Sequence, residues 1–139
     1  MVKPKQTTAG FSLIEIMIVV AIIAIIAVIA VPSYTGYVER SKCTDAQADL
    51  MELAQWMERR YASNFSYRTA ADEAPTLPFD ESPENAIAAE AAFTITIATP
   101  DNSSFTLTAT PTTRIRTVAN GGACGTLTLT HQGVEGGWI

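Results

Sequence analysis

Apolar and polar positions follow three different rhythms along this chain, and each rhythm predicts a different element. Phe11–Ile14 and Ile16–Val31 form an almost unbroken apolar run with one carboxylate, Glu15, inside it. About twenty such residues, rising 1.5 Å each as a helix, can cross a hydrocarbon layer of roughly 30 Å. Beyond Pro32, the residues Ala46, Leu50, Leu53, Met57 and Tyr61 recur at spacings of three and four, which predicts an amphipathic helix with one buried face. Asp45, Asp49, Glu52, Glu58 and Arg59 take the other positions, and Ser63-Asn64 marks the stop, so the helix is predicted from Phe11 to about Ala62. Met51, Trp56 and Met57 read as packing residues of that helix.

From 65 to 92 the rhythm fails. Pro75, Pro78 and Pro83 break regular structure while Asp72, Glu73, Asp80, Glu81 and Glu84 accumulate, which predicts an acidic surface loop. A period of two then takes over in Phe93–Ile97, Phe105–Ala109 and Thr126–Thr130, predicting half-buried strands. Pro100–Ser104 and Asn120-Gly121-Gly122 are turn signals between them. The expected fold class is therefore α+β: a long N-terminal helix packed on a small antiparallel sheet, whose apolar face covers the helix.

Composition changes this picture in three respects. With 139 residues, and the first segment reading as membrane-embedded, one soluble domain of about a hundred residues remains. The parts are a leader at 1–10, a hydrophobic helix at 11–35 and a head at 36–139. The net charge of −5 becomes −7 without the two leader lysines, Lys3 and Lys5, which argues against a general nucleic-acid-binding surface. Cys43 and Cys124 are the only cysteines, and an even pair suits a disulfide if the domain is exported.

The lysines precede the span and Glu39 and Asp45 follow it, so the positive-inside rule puts the N-terminus in the cytoplasm and the head outside. The apolar run is longer than a secretory h-region, which favours a single-span anchor over a signal cleaved after the run. Glu15 needs a separate explanation. A carboxylate costs up to roughly 2.5 to 3.5 kcal/mol at mid-span, less near an end, so it normally has a partner. Cutting between Gly10 and Phe11 would create an amine, and an amine about 4 Å from a carboxylate gains roughly 4 kcal/mol at an effective dielectric of about 20.

Gly10-Phe11-Ser12-Leu13-Ile14-Glu15-Ile16-Met17-Ile18-Val19-Val20, followed by Val31-Pro32-Ser33-Tyr34, resembles the class III signal and N-terminal helix of type IV pilins. That resemblance implies a prepilin peptidase that cuts after Gly10 and N-methylates Phe11. It makes Glu15 an assembly determinant. Pro32, which removes a backbone donor and clashes with the preceding turn, is the expected kink. Ala24 stands where many members have Gly, and Ala is about 1 kcal/mol the better helix former. Glu58-Arg59-Arg60-Tyr61, Phe105–Pro111 and Cys124–Leu129 are similar to PilE-type minor pilins. Such relatives pair the Cys before the last strand with one near the C-terminus. The tail here has none, so the resemblance implies a bridge from Cys124 to Cys43, with two separate thiols as the alternative.

The implied partners are other pilin subunits, the peptidase, an inner-membrane assembly platform and the membrane itself. The implied location is the inner membrane with a periplasmic head, and then an extracellular fibre supporting twitching motility and adhesion. No metal, cofactor or small-molecule substrate is expected. The acidic loop lacks EF-hand spacing, although pseudopilins of type II secretion bind calcium in a different loop. His131 is the only histidine and no catalytic constellation surrounds it, so an enzyme is not expected. Arg59, Arg60, Arg68, Arg114 and Arg116 could touch DNA, as in pilins of natural transformation, or be ordinary solvated charge. A minor pilin is the leading reading. A major pilin, a type II secretion pseudopilin and a single-span exported protein with a non-polymerising head are the alternatives.

Overall fold

The computed structural model describes residues 10–115 and 122–138. The leader residues 1–9, Arg116, and Asn120 and Gly121 of the expected turn lie outside the described residues. The chain divides into two compact units between Thr35 and Gly36.

Helix α1, Leu13–Asn64, contributes to both units and is continuous in secondary structure through Pro32. It starts and stops two residues later than the pattern predicts. Ser12 is the cap: its carbonyl accepts from the Glu15 N–H at 3.1 Å and the Ile16 N–H at 3.3 Å. At the other end the Ser63 hydroxyl bonds back to the carbonyls of Arg59 and Arg60. Phe65 then turns left-handed at φ 53° while its N–H closes on the Tyr61 carbonyl at 2.8 Å. That is the chemistry of an αL cap, carried here without glycine.

From Leu13 to Val31 α1 is apolar on all sides apart from Glu15, and all of these residues are exposed. Leu13 and Val28 are each 77% exposed. By length and composition this stretch can cross a membrane. In the second unit the helix is one-sided. Cys43, Ala46, Leu50, Leu53 and Met57 are fully buried, and Trp56 and Tyr61 pack at the margin. Met51 is a correction: it is 46% exposed, because it lies about 100° around the helix from Leu50 and faces away from the sheet.

Among the described residues five strands follow, where the alternation predicts three: β1 Glu81–Ser82, β2 Phe93–Asp101, β3 Ser104–Pro111, β4 Leu127–Thr130 and β5 Glu135–Gly136. They lie in chain order and pair antiparallel throughout. Phe93, Ile95, Phe105, Leu107, Ala109, Leu127 and Leu129 point to the α1 side and are buried, while the threonines between them are exposed or half-buried. Each large apolar side chain so buried contributes about 1.5–3 kcal/mol of transfer free energy.

Two-residue strands have no room for alternation, and backbone bonds alone define them. Ser82 pairs with Phe93, and its carbonyl accepts the Ala92 N–H at 2.8 Å. The segment expected as a surface loop therefore carries an edge strand. It also sends Tyr67 into the core, with Leu77 and Phe79 packed against it. The β2–β3 hairpin turns at Asn102-Ser103, where the Asp101 carboxylate accepts the Ser103 N–H at 2.8 Å and the Ser103 hydroxyl at 2.9 Å. These bonds, the backbone one first, hold the Asp101 carboxyl below its usual value.

Candidate functional site

Gly10 and Phe11 lie ahead of the helix, and Phe11 is 80% exposed. Glu15 follows in the first turn of α1, where the helix dipole favours a carboxylate by about 0.3–1 kcal/mol. The spacing Ser12-x-x-Glu15 is also that of a capping box, a signal present in the sequence that places the carboxylate near the helix start. Glu15 is exposed, and a terminal amine on Phe11 would lie about one turn away along the chain. From Leu13 to Val31 the large side chains form an uncovered apolar cylinder, a surface that requires lipid or other helices around it.

The head presents a different chemistry. Cys43 on α1 and Cys124 ahead of β4 are joined by a disulfide, with their Cα atoms 6.3 Å apart. By chain entropy, closing a loop of 81 residues stabilises the fold by about 4.5 kcal/mol. The bridge ties the helix to the sheet at the entry to its last long strand.

The arginines do not form one patch. Arg60 and Arg68 come together: the Arg60 Nη2 donates to the Arg68 carbonyl at 3.4 Å, and both line a cleft of about 450 Å³ with Asn64, Ser66 and Thr69. Arg68 also bonds Asp72 at 2.9 Å, an ion pair whose carboxylate is largely in solvent and which contributes little. Arg59 lines a separate groove of about 530 Å³ with Gln55, Glu58, Phe105 and His131. Arg114 sits in the turn after β3, where its N–H meets the Thr112 hydroxyl, and Arg116 lies outside the described residues.

In that groove His131 is half-buried, its ring edge-on to Phe105 with centroids 6.3 Å apart. Tyr67 stacks on Tyr61 at 4.6 Å and meets Phe105 edge-on at 4.9 Å. Its hydroxyl donates to the Glu58 carboxylate at 2.8 Å. Burial, and then the Glu58 bond and charge, push the Tyr67 phenol up to about 12. The pattern misses Tyr67 because it stands alone between two helix-stopping signals, with no periodic neighbours. Among the described residues no group of three or more His, Cys, Asp or Glu side chains is arranged to hold a metal ion.

Comparison with known proteins adds the following. Residues 32–128 match the family model described as the type IV minor pilin ComP, DNA uptake sequence receptor. Residues 5–31 match the prokaryotic N-terminal methylation motif. Among solved structures, a type IV pilin from Shewanella oneidensis is 26% identical, with a TM-score of 0.47 over 73% of this chain and 98% of that one. The non-core minor pilin PilV of Neisseria meningitidis is 23% identical, with a TM-score of 0.49 over 73% of this chain and 87% of that one. No curated protein matches the chain.

Proposed function

The chain belongs to the ComP family of type IV minor pilins, and from that premise we propose how its two units divide the work of a DNA-capturing pilus subunit. As a member of that family it is a structural subunit, anchored by its apolar helix and assembled with other pilins into a pilus.

In this reading a prepilin peptidase removes residues 1–10 and methylates the new terminus at Phe11. The amine so created pairs with Glu15, within the subunit or across to a neighbour, and sets the axial stagger of the helices. Pro32 lacks the N–H that would bond the Val28 carbonyl, so it is the point at which the helix bends between membrane and fibre. An inner-membrane platform moves the subunit outward, and the head passes from the periplasm to the fibre surface.

The head's task is DNA capture. The observation that carries this is the match of residues 32–128 to a family described as a DNA uptake sequence receptor. The chain as a whole is acidic, so binding must be local, and the cleft lined by both Arg60 and Arg68 is the candidate place for it. The test is a gel shift with the full-length protein in detergent over a range of salt. Arg60→Ala with Arg68→Ala should weaken binding and flatten the slope of log affinity against log salt by about 2. Absence of any salt-sensitive DNA binding by the native protein would remove the capture role and leave the structural one.

A further inference from the structure

Phe65, the first residue beyond α1, is unfavourable where it stands on two separate counts. At φ 53° it occupies the left-handed region, where a Cβ crowds the following carbonyl, a bulky residue is an outlier and glycine is the usual occupant. Its ring gains nothing from the core in exchange. It is 81% exposed, the most exposed large apolar side chain among the described residues of the second unit. Tyr61 and Tyr67, before and after it in the chain, both join the core cluster or pack against it.

The neighbours of Phe65 hold it in that conformation. Its N–H closes on the Tyr61 carbonyl at 2.8 Å, and the next two residues are pinned to the tip of the β2–β3 hairpin. There the Ser66 hydroxyl donates to Asn102 Oδ1 at 3.2 Å, and the Asn102 carbonyl accepts the Tyr67 N–H at 3.0 Å. Backbone strain persists where surrounding bonds over-determine it, and it collects at binding sites. The direction of the Phe65 Cα–Cβ bond is thereby fixed, so a ligand has only two side-chain torsions left to order.

The chemistry next to the ring points to the ligand. Asn64 and Ser66, on either side of Phe65 in the chain, line the cleft of about 450 Å³ that Arg60 and Arg68 also line. Guanidinium groups take phosphates, and an exposed ring takes the face of a base. Together they are the means by which proteins hold nucleic acid whose bases are unstacked. An apolar protein partner would use the ring but not the guanidinium groups.

We propose that Phe65 is the base-contacting residue of the head, its ring stacking on a nucleobase while Arg60 and Arg68 take adjoining phosphates. The strained conformation is retained because it presents the ring to solvent. This rests on the DNA-capture reading and adds to it the group contacted, a nucleobase face. Such a face is offered by a single strand or by an unstacked step of a duplex.

The test is fluorescence anisotropy with the full-length protein in detergent, using a labelled single strand and the same sequence as a duplex, over a range of salt. Phe65→Gly should weaken binding about 5- to 150-fold, the loss expected for one stacked base. The slope of log affinity against log salt should not change, because no charge is removed. Phe65→Leu, apolar but without a ring face, should lose nearly as much, and Phe65→Tyr should bind within about twofold of the native protein. A loss in the single-strand arm alone places the base on a free strand, and a loss in the duplex arm places it at an unstacked step. Phe65→Gly should also raise the thermal midpoint by about 4 °C, since left-handed strain is relieved and almost no packing is lost. A variant that gains stability while losing DNA excludes misfolding as the cause. If the native protein binds DNA and Phe65→Gly or Phe65→Leu binds it as tightly, or Phe65→Gly loses stability along with affinity, the role of Phe65 falls and the capture reading stands. If the native protein binds neither form of DNA, the capture reading falls and takes this role with it.

Discussion

The Tyr67 hydroxyl donates to the Glu58 carboxylate at 2.8 Å, so a phenol whose ring is inside the core ends on a charged group of the helix. Tyr67 holds its proton to about pH 12 when folded, whereas an unfolded tyrosine loses it near 10. The folded state therefore binds more protons in that window. Stability should fall by about 3 kcal/mol as pH rises through it and be fully present below it. Tyr67→Phe should abolish that slope and cost about 1 kcal/mol at neutral pH, both measurable by urea unfolding.

Replacing Cys43 and Cys124 together by serine should lower stability by about 4 kcal/mol. The native protein should drop to a similar denaturation midpoint under reductant, and the double variant should ignore reductant. Equal midpoints with and without reductant in the native protein would show that the bridge contributes nothing.

Gly133 and Gly137 both have φ of 73°, but only Gly137 also lacks space, since a Cβ there would collide with the Thr126 carbonyl. Gly133→Ala should cost about 1 kcal/mol from backbone strain alone. Gly137→Ala should cost more than about 2 kcal/mol and loosen β5 and the Trp138 indole, which donates to the Thr128 carbonyl at 3.0 Å. Thermal unfolding of the two variants makes the comparison.

Substituting Gly10 with a bulky residue should leave the leader attached, read as the heavier band on a gel. Glu15→Ala should insert into the membrane normally yet enter sheared pili at least about tenfold less, since a third of a roughly 4 kcal/mol attraction is already a factor of ten. Normal incorporation of the Glu15 variant would sink the pairing with the terminal amine.

Much of the fold was legible because burial leaves a period. Ala46, Leu50, Leu53 and Met57 share one helical face, and Phe93, Ile95, Phe105, Leu107, Leu127 and Leu129 share one sheet face. What escaped has no period to leave. Glu81-Ser82 and Glu135-Gly136 are strands by backbone pairing alone, and Ser82 is a polar residue at a fully buried position. Tyr67 joined the core because the Asn102 carbonyl, at the tip of a distant hairpin, accepts its N–H at 3.0 Å. Among the arginines, spacing suggested a group, whereas the helix turn separated Arg59 from its neighbour Arg60 by about 100° and sent them to different clefts. The N-terminal methylation motif, matched over residues 5–31, was legible because its residues lie close together in sequence and need no tertiary contact to be brought together.

A pilus works under tension, and the sulfur bridge decides where a pulling force travels. A load entering along α1 reaches Cys43 and crosses to Cys124, leaving the 81-residue separation between them outside the line of strain. At about 3.5 Å per extended residue that is some 280 Å of chain withheld from stretching. Strand pairs within that span can part and re-form without the subunit lengthening by their contour. For a load that enters along α1 and leaves beyond Cys124, the head is expected to act as a short tether with the intervening chain carried as slack.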